Sequence, residues 1–108
     1  MTFDFAVVGA SGSLVTASRL DGGGPGGMAR ARSKAWIAAT QQIPSYEHLQ
    51  RMTSIAPPVA AGFAAVSPEA LFPGAGGIPI VRDGVVAAGI AASGATIARF
   101  LLTAWHRS

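Results

Sequence analysis

The spacing of apolar residues has period two at the start of the chain, a helical period follows, and two continuous apolar runs stand near residue 80. Phe3, Phe5 and Val7 alternate with Asp4, Ala6 and Val8, which predicts a strand over Phe3–Val8. Gly9-Ala10-Ser11-Gly12 then predicts a turn, and Leu14, Val15 and Thr16 place a second strand over Ser13–Arg19. Later, the apolar runs Gly77–Arg82 and Val85–Ser93 flank Asp83-Gly84. An Asp-Gly step between β-type runs is a strong hairpin signal, because a type I′ turn needs positive φ at both central residues. Between the hairpins, Met28, Ala31, Ala35, Ala38 and Gln42 share one helical face, which predicts a helix over about Met28–Gln42 after a flexible loop at Asp21–Gly27. Pro44 breaks it. Ser45 is placed to cap a second, short helix carrying Tyr46, Leu49, Met52 and Ile55, which Ala56-Pro57-Pro58 stops. Val59–Pro73 is ambiguous, with Gly62–Val66 compatible with a short strand. A last helix is expected over Ala95–Trp105.

The order is hairpin, helices, hairpin, helix. Strands joined by tight turns are antiparallel. The expected class is therefore α+β: an antiparallel sheet built from two hairpins with helices packed on it, in a single domain spanning residues 1–108.

Composition sharpens the picture in one respect. Half the residues are hydrophobic, but alanine supplies much of that half and aromatics only 7%. In Leu71–Thr96, Gly76, Gly77, Ala87, Ala88, Gly89, Ala91, Ala92 and Gly94 leave little side-chain volume. Such a strand pair implies close approach by a packed helix, a partner chain or a ligand. Gly, Pro or a charge interrupts every apolar run well short of the roughly 18–20 residues of a membrane span, and no basic, then apolar, leader opens the chain. No membrane association and a cytoplasmic location are expected. Cysteine is absent, which removes disulfides, thiolate metal sites and cysteine nucleophiles.

The formal charge is +3. Only Arg30, Arg32 and Lys34 cluster, without interleaved aromatics. The first reading of that cluster is a solvated helix face, the second a site for an anionic group such as a carboxylate, and nucleic acid comes third. Gly9-Ala10-Ser11-Gly12 follows a strand as a dinucleotide fingerprint would, but Val15 stands at the third glycine position and the next residues are strand-like. The Gly22–Gly27 tract leads into Met28, so it is no P-loop. His48 and His106 belong to no metal-ligand spacing, and His48 is expected on the exposed side of its helix. Ser93 sits in no nucleophile elbow. Arg19 and Lys34 suit a ligand carboxylate, with Asp21 beside the glycine tract as a capping residue or an acid–base group.

Several tracts occur in a telling order: VVGASGSLVTASRLDG at 7–22, ARSKAWIAA at 31–39 and FPGAGGIPIVRDGVVAAGIAASG at 72–94. Over roughly residues 5–96 the chain resembles the GlcG/HbpS-like family, which includes the C-terminal domain of PduO-type proteins and is often labelled haem-degrading. The residues carrying the resemblance are Arg19-Leu20-Asp21-Gly22, Lys34-Ala35, Gly76-Gly77-Ile78-Pro79, Asp83-Gly84 and Ala92-Ser93-Gly94. Departures are Gly9 in place of an acid, Ala91 in place of a glycine, and no acid after Ser93-Gly94. Family members usually place a helix before the first strand, whereas this sequence opens on the strand, and the expectation is that a partner subunit covers the sheet face such a helix would cover.

The resemblance implies binding of haem or a related tetrapyrrole. The expected function is small-ligand binding by a homo-oligomer, with Arg19, Asp21, Lys34, Gly76, Gly77 and Ser93 as the ligand-binding residues and no dedicated metal site. For an axial haem ligand, Met28, Tyr46, His48 and Met52 are candidates and the sequence favours none. Two alternatives stand beside this reading. One is a small metal-independent enzyme acting on a carboxylated or aromatic substrate with help from Asp21, Arg19 or Lys34. The other is a structural or interaction subunit without a ligand.

Overall fold

The computed structural model describes residues 4–19, 25–67, 74 and 76–93. Two hairpins form one four-stranded antiparallel sheet. The strands are β1 (Asp4–Gly9), β2 (Leu14–Arg19), β3 (Gly77–Arg82) and β4 (Val85–Ser93), and their spatial order is β2-β1-β4-β3. The two hairpins therefore join along β1 and β4, where Asp4 faces Ser93 and Val8 faces Gly89. Pro79 cannot donate to a ladder, and β3, which carries it, is an edge strand. In the second turn Asp83 and Gly84 have φ of 52° and 77°, the two positive values that a type I′ turn requires.

Three helices lie between the hairpins in sequence: α1 (Pro25–Gln41), α2 (Ser45–Thr53) and α3 (Pro57–Val66). The first begins inside the expected glycine loop, because Pro25 has the φ of a helix start and no amide hydrogen to leave unsatisfied there. It ends at Gln42, whose φ is 62° and whose amide reaches the Ala38 carbonyl at 3.1 Å, a left-handed C-terminal cap of the usual kind. The third helix replaces the short strand compatible with Gly62–Val66. Pro57 and Pro58 end α2 but occupy the first turn of α3, where proline is tolerated, and six alanines and valines continue it. The helix expected over Ala95–Trp105 lies outside the described residues.

The alternation of β1 decides which face meets α1, and it is the small and polar set. Asp4, Ala6 and Val8 are buried while Phe5 and Val7 are half-buried. The core joins Ala6, Val8 and Ala91 of the sheet to Ala31, Ala35, Trp36, Ile37 and Ala39 of α1. Backbones come close enough that side chains are excluded between them. A Cβ on Gly89 would overlap the Ala35 carbonyl oxygen and lie 2.6 Å from the Ala39 nitrogen. One on Gly77 would overlap the Lys34 carbonyl oxygen and lie 2.8 Å from its carbon. Of the three things that could approach this hairpin, the chain's own helix is the one that fills the space over Gly77 and Gly89.

Candidate functional site

A continuous set of buried polar groups runs from the first turn of α1 to the inner side of α2. It starts at Asp4, directly opposite Ser93 on one flank and Arg19 on the other. The Asp4 carboxylate and the Ser93 hydroxyl both abut Gly27. A Cβ on Gly27 would overlap Asp4 Oδ2 and lie 2.9 Å from Ser93 Oγ. The first turn of α1 carries no acidic residue of its own, so Asp4 of β1 brings the negative charge that a helix N-terminus favours.

Two turns along α1, Lys34 is buried, only 4% exposed. Its Nζ donates to the Ala92 carbonyl at 2.7 Å. Burial disfavours the ammonium, and Arg30 adds like-charge repulsion; together they lower its pKa from 10.5 to about 8. The solvated-face reading of Arg30, Arg32 and Lys34 holds for the two arginines, which are exposed, and fails for Lys34. Lys34 projects toward the sheet rather than into water because the residues around it on α1, from Ser33 to Ala39, are buried as well.

Gly76 and Gly77 lie beside Lys34. Gly76 has φ of 114° and its carbonyl accepts from the Ala92 amide at 3.4 Å. The Gly77 amide donates to Ser45 Oγ at 2.9 Å. This corrects the reading of Ser45 as a cap. The N-cap of α2 is Pro44, with no side-chain hydrogen bond, and the Ser45 hydroxyl is spent on tying α2 to the start of β3.

One turn further, His48 is also buried, 7% exposed, contrary to the exposed position expected for it. Its ring packs on Phe63 of α3 with centroids 5.3 Å apart and planes at 48°. Helix α3 is the element that covers it. Burial, and secondarily Arg51, push the imidazole pKa below its usual value. Its Nε2 is buried without a hydrogen-bond partner. On the other side of α2, Tyr46, Glu47, Gln50, Arg51 and Ser54 border a groove of about 440 Å³. Of the residues singled out from sequence, only Tyr46, one of the axial-ligand candidates, lines it; none of the six expected ligand-binding residues does.

The structure thus brings Lys34, Gly76, Gly77 and Ser93 together at one end of the sheet. Arg19 closes β2 opposite Asp4, two strands away from Ser93 through β1, and Asp21 lies outside the described residues. Sequence reasoning missed Asp4 and Ser45. Asp4 carried a signal, since an acid in phase with the apolar Ala6 and Val8 points to a buried carboxylate. Ser45 carried a misleading one, because a serine before a helical stretch reads first as a cap. Among the described residues no cluster of three metal-ligating side chains occurs, and no helix is long and apolar enough to cross a membrane.

Comparisons with known proteins agree with this architecture. The family described as haem degrading protein HbpS-like matches residues 2–99. A double mutant of HbpS from Streptomyces reticuli is similar at a TM-score of 0.76 and 27% identity, over 97% of this chain and 67% of that one. The protein ORFY of Klebsiella pneumoniae has a TM-score of 0.76 at 20% identity, over 94% of this chain and 68% of its own. A PduOC:heme complex has a TM-score of 0.77 at 21% identity, over 97% and 77% respectively. No curated protein matches the chain.

Proposed function

The chain belongs to the HbpS-like family, and from that premise we propose that it binds haem or a related tetrapyrrole where Gly76 and Gly77 meet α2. The observation that carries this reading is the meeting, at that edge, of a buried polar path with an uncharged helix. Ser45 bonds Gly77, His48 follows one turn later, and α3 beside it reads PPVAAGFAAV, without a charged or polar side chain. A tetrapyrrole needs a donor atom for its metal, apolar contact for its ring and cations for its carboxylates. The residues fit such a group, since a buried imidazole nitrogen lacks a hydrogen-bond partner next to that apolar helix.

In this reading Lys34, Gly76, Gly77 and Ser93 form the floor of the site rather than its contact surface. Lys34 holds the end of β4 through Ala92 and so fixes the position of Gly76 and Gly77. Arg19 is the cation assigned to a ligand carboxylate, and Asp21, next to the glycine tract in sequence, keeps the role of a capping or acid–base residue. When bound, haem iron supplies ligand-exchange and electron-transfer chemistry; the chain supplies the donor, the dry wall and the orientation.

Titration of the purified protein with hemin tests the reading. The expected result is a saturable Soret shift. No shift at any hemin concentration overturns it and leaves the structural or interaction role.

A further inference from the structure

Helix α3 is anomalous for a surface helix. A helix that is apolar around its whole circumference belongs in an interior, and a surface helix ordinarily turns a polar face outward. Yet no residue of α3 is buried. Val59 is 59% exposed and Val66 83%. A side chain added at Gly62 would meet nothing within 4 Å. Among the described elements α3 touches only α2, and its N-cap, Ala56, makes no side-chain bond. Among the described residues, α2 alone holds it.

The contact it does make lies over His48. Phe63 rests on the imidazole, and beneath it the Nε2 atom has no partner. A buried polar atom left unsatisfied costs stability, so this contact is not the arrangement that best uses the histidine. A neutral imidazole is also the form that ligates a metal, and burial holds His48 in that form.

We propose that α3 is a cover that swings from His48 to admit a tetrapyrrole, with His48 Nε2 as the axial ligand and the apolar side chains of α3 closing on the ring. This assignment rests on the ligand class proposed above and adds to it the ligating atom and the element that moves. It explains two otherwise separate features at once: the orphaned nitrogen gains a partner, and the exposed apolar helix gains an apolar surface to lie on. It also explains why α2 is pinned to β3 through Ser45 while α3 is not pinned to the sheet, since a ligating histidine must be held and its cover must move.

The experiment is a hemin titration of the wild type and His48→Ala, with folding of the variant checked by far-UV circular dichroism and the spectrum recorded with and without added imidazole. The expected result is a saturable Soret shift in the wild type, binding at least tenfold weaker in His48→Ala with a displaced Soret maximum, and recovery of the wild-type spectrum with imidazole. Should His48→Ala fail to fold, His48→Gln, which keeps a side chain of similar reach under Phe63, is read in the same way. A variant that binds hemin with unchanged affinity and spectrum overturns the assignment of His48 and leaves tetrapyrrole binding standing. A wild type that gives no shift overturns both.

Discussion

The interface of α1 with the sheet and the pair α2 and α3 differ in how they are built. On the sheet side, α1 lies so close to β3 and β4 that only glycine fits at Gly77 and Gly89, and alanine supplies most of the rest of the interface. Away from that interface, the nine-residue α2 is tied to the start of β3 by one serine, and α3 adds ten residues of which none is buried. Close backbone packing leaves no room between hairpin and helix, so that interface holds the fold together and excludes a ligand. On the loose side the apolar side chains of Val59 and Val66 are exposed. A binding function placed there does not compete with the packing that keeps the chain folded.

The largest effect is expected where the packing is closest. Gly89→Ala puts a methyl group into the backbone of α1 at Ala35 and Ala39, atoms that move only if the helix moves. We expect a loss of about 3 kcal/mol, the upper range for overpacking, read as a lower midpoint in urea denaturation. A loss under roughly 0.5 kcal/mol, the ordinary scatter of surface substitutions, would mean that α1 stands further from β4 than described.

Next in size is a pH effect at the same interface. The Lys34 pKa falls from 10.5 to about 8 on folding. Between those values the unfolded chain holds a proton that the folded chain has released, so stability rises with pH through that window and is flat with respect to this group below it. Lys34→Met should abolish the slope between pH 8 and 10.5. A slope that survives the substitution would assign it to another group.

The smallest effect has the opposite sign and lies on the loose side. Gly62 has open space around it in the middle of α3. Gly62→Ala should stabilise that helix by about 0.5–1 kcal/mol through helix propensity alone, seen as a small rise in helical circular dichroism or melting temperature. The same substitution thus loses stability at Gly89 and gains it at Gly62. Two losses of similar size would show that α3 is packed after all, and would remove the contrast between the two sides.

Most of the fold was legible because its signals are local. The Asp83-Gly84 turn, the bounds of β3 and β4, and the first hairpin follow from residues a few positions apart, and the alternation of β1 survives in its burial. The misreadings share one cause. Pro57 and Pro58 mark a break whichever element follows, Ser45 offers the same hydroxyl to its own helix or to Gly77, and His48 has no neighbour in sequence that would bury it. In each case the deciding partner lies at long range: Gly77 is 32 positions from Ser45, and Phe63 belongs to a different helix from His48.

The sequence by itself determined that this protein is an antiparallel sheet with helices, and that its second hairpin is too poor in side chains to stand without a close neighbour. It also placed the chain among HbpS-like proteins through the order of short tracts. Only the tertiary structure decided what that neighbour is. Steric exclusion at Gly77 and Gly89 involves backbone atoms of Lys34, Ala35 and Ala39, which no pattern of side chains encodes locally. The same docking of α1 turned Lys34 from a surface cation into a buried one, and the helix that follows α2 turned His48 from an exposed residue into a covered one. Burial and proximity set the chemistry of both groups, and neither quantity exists until distant segments have met.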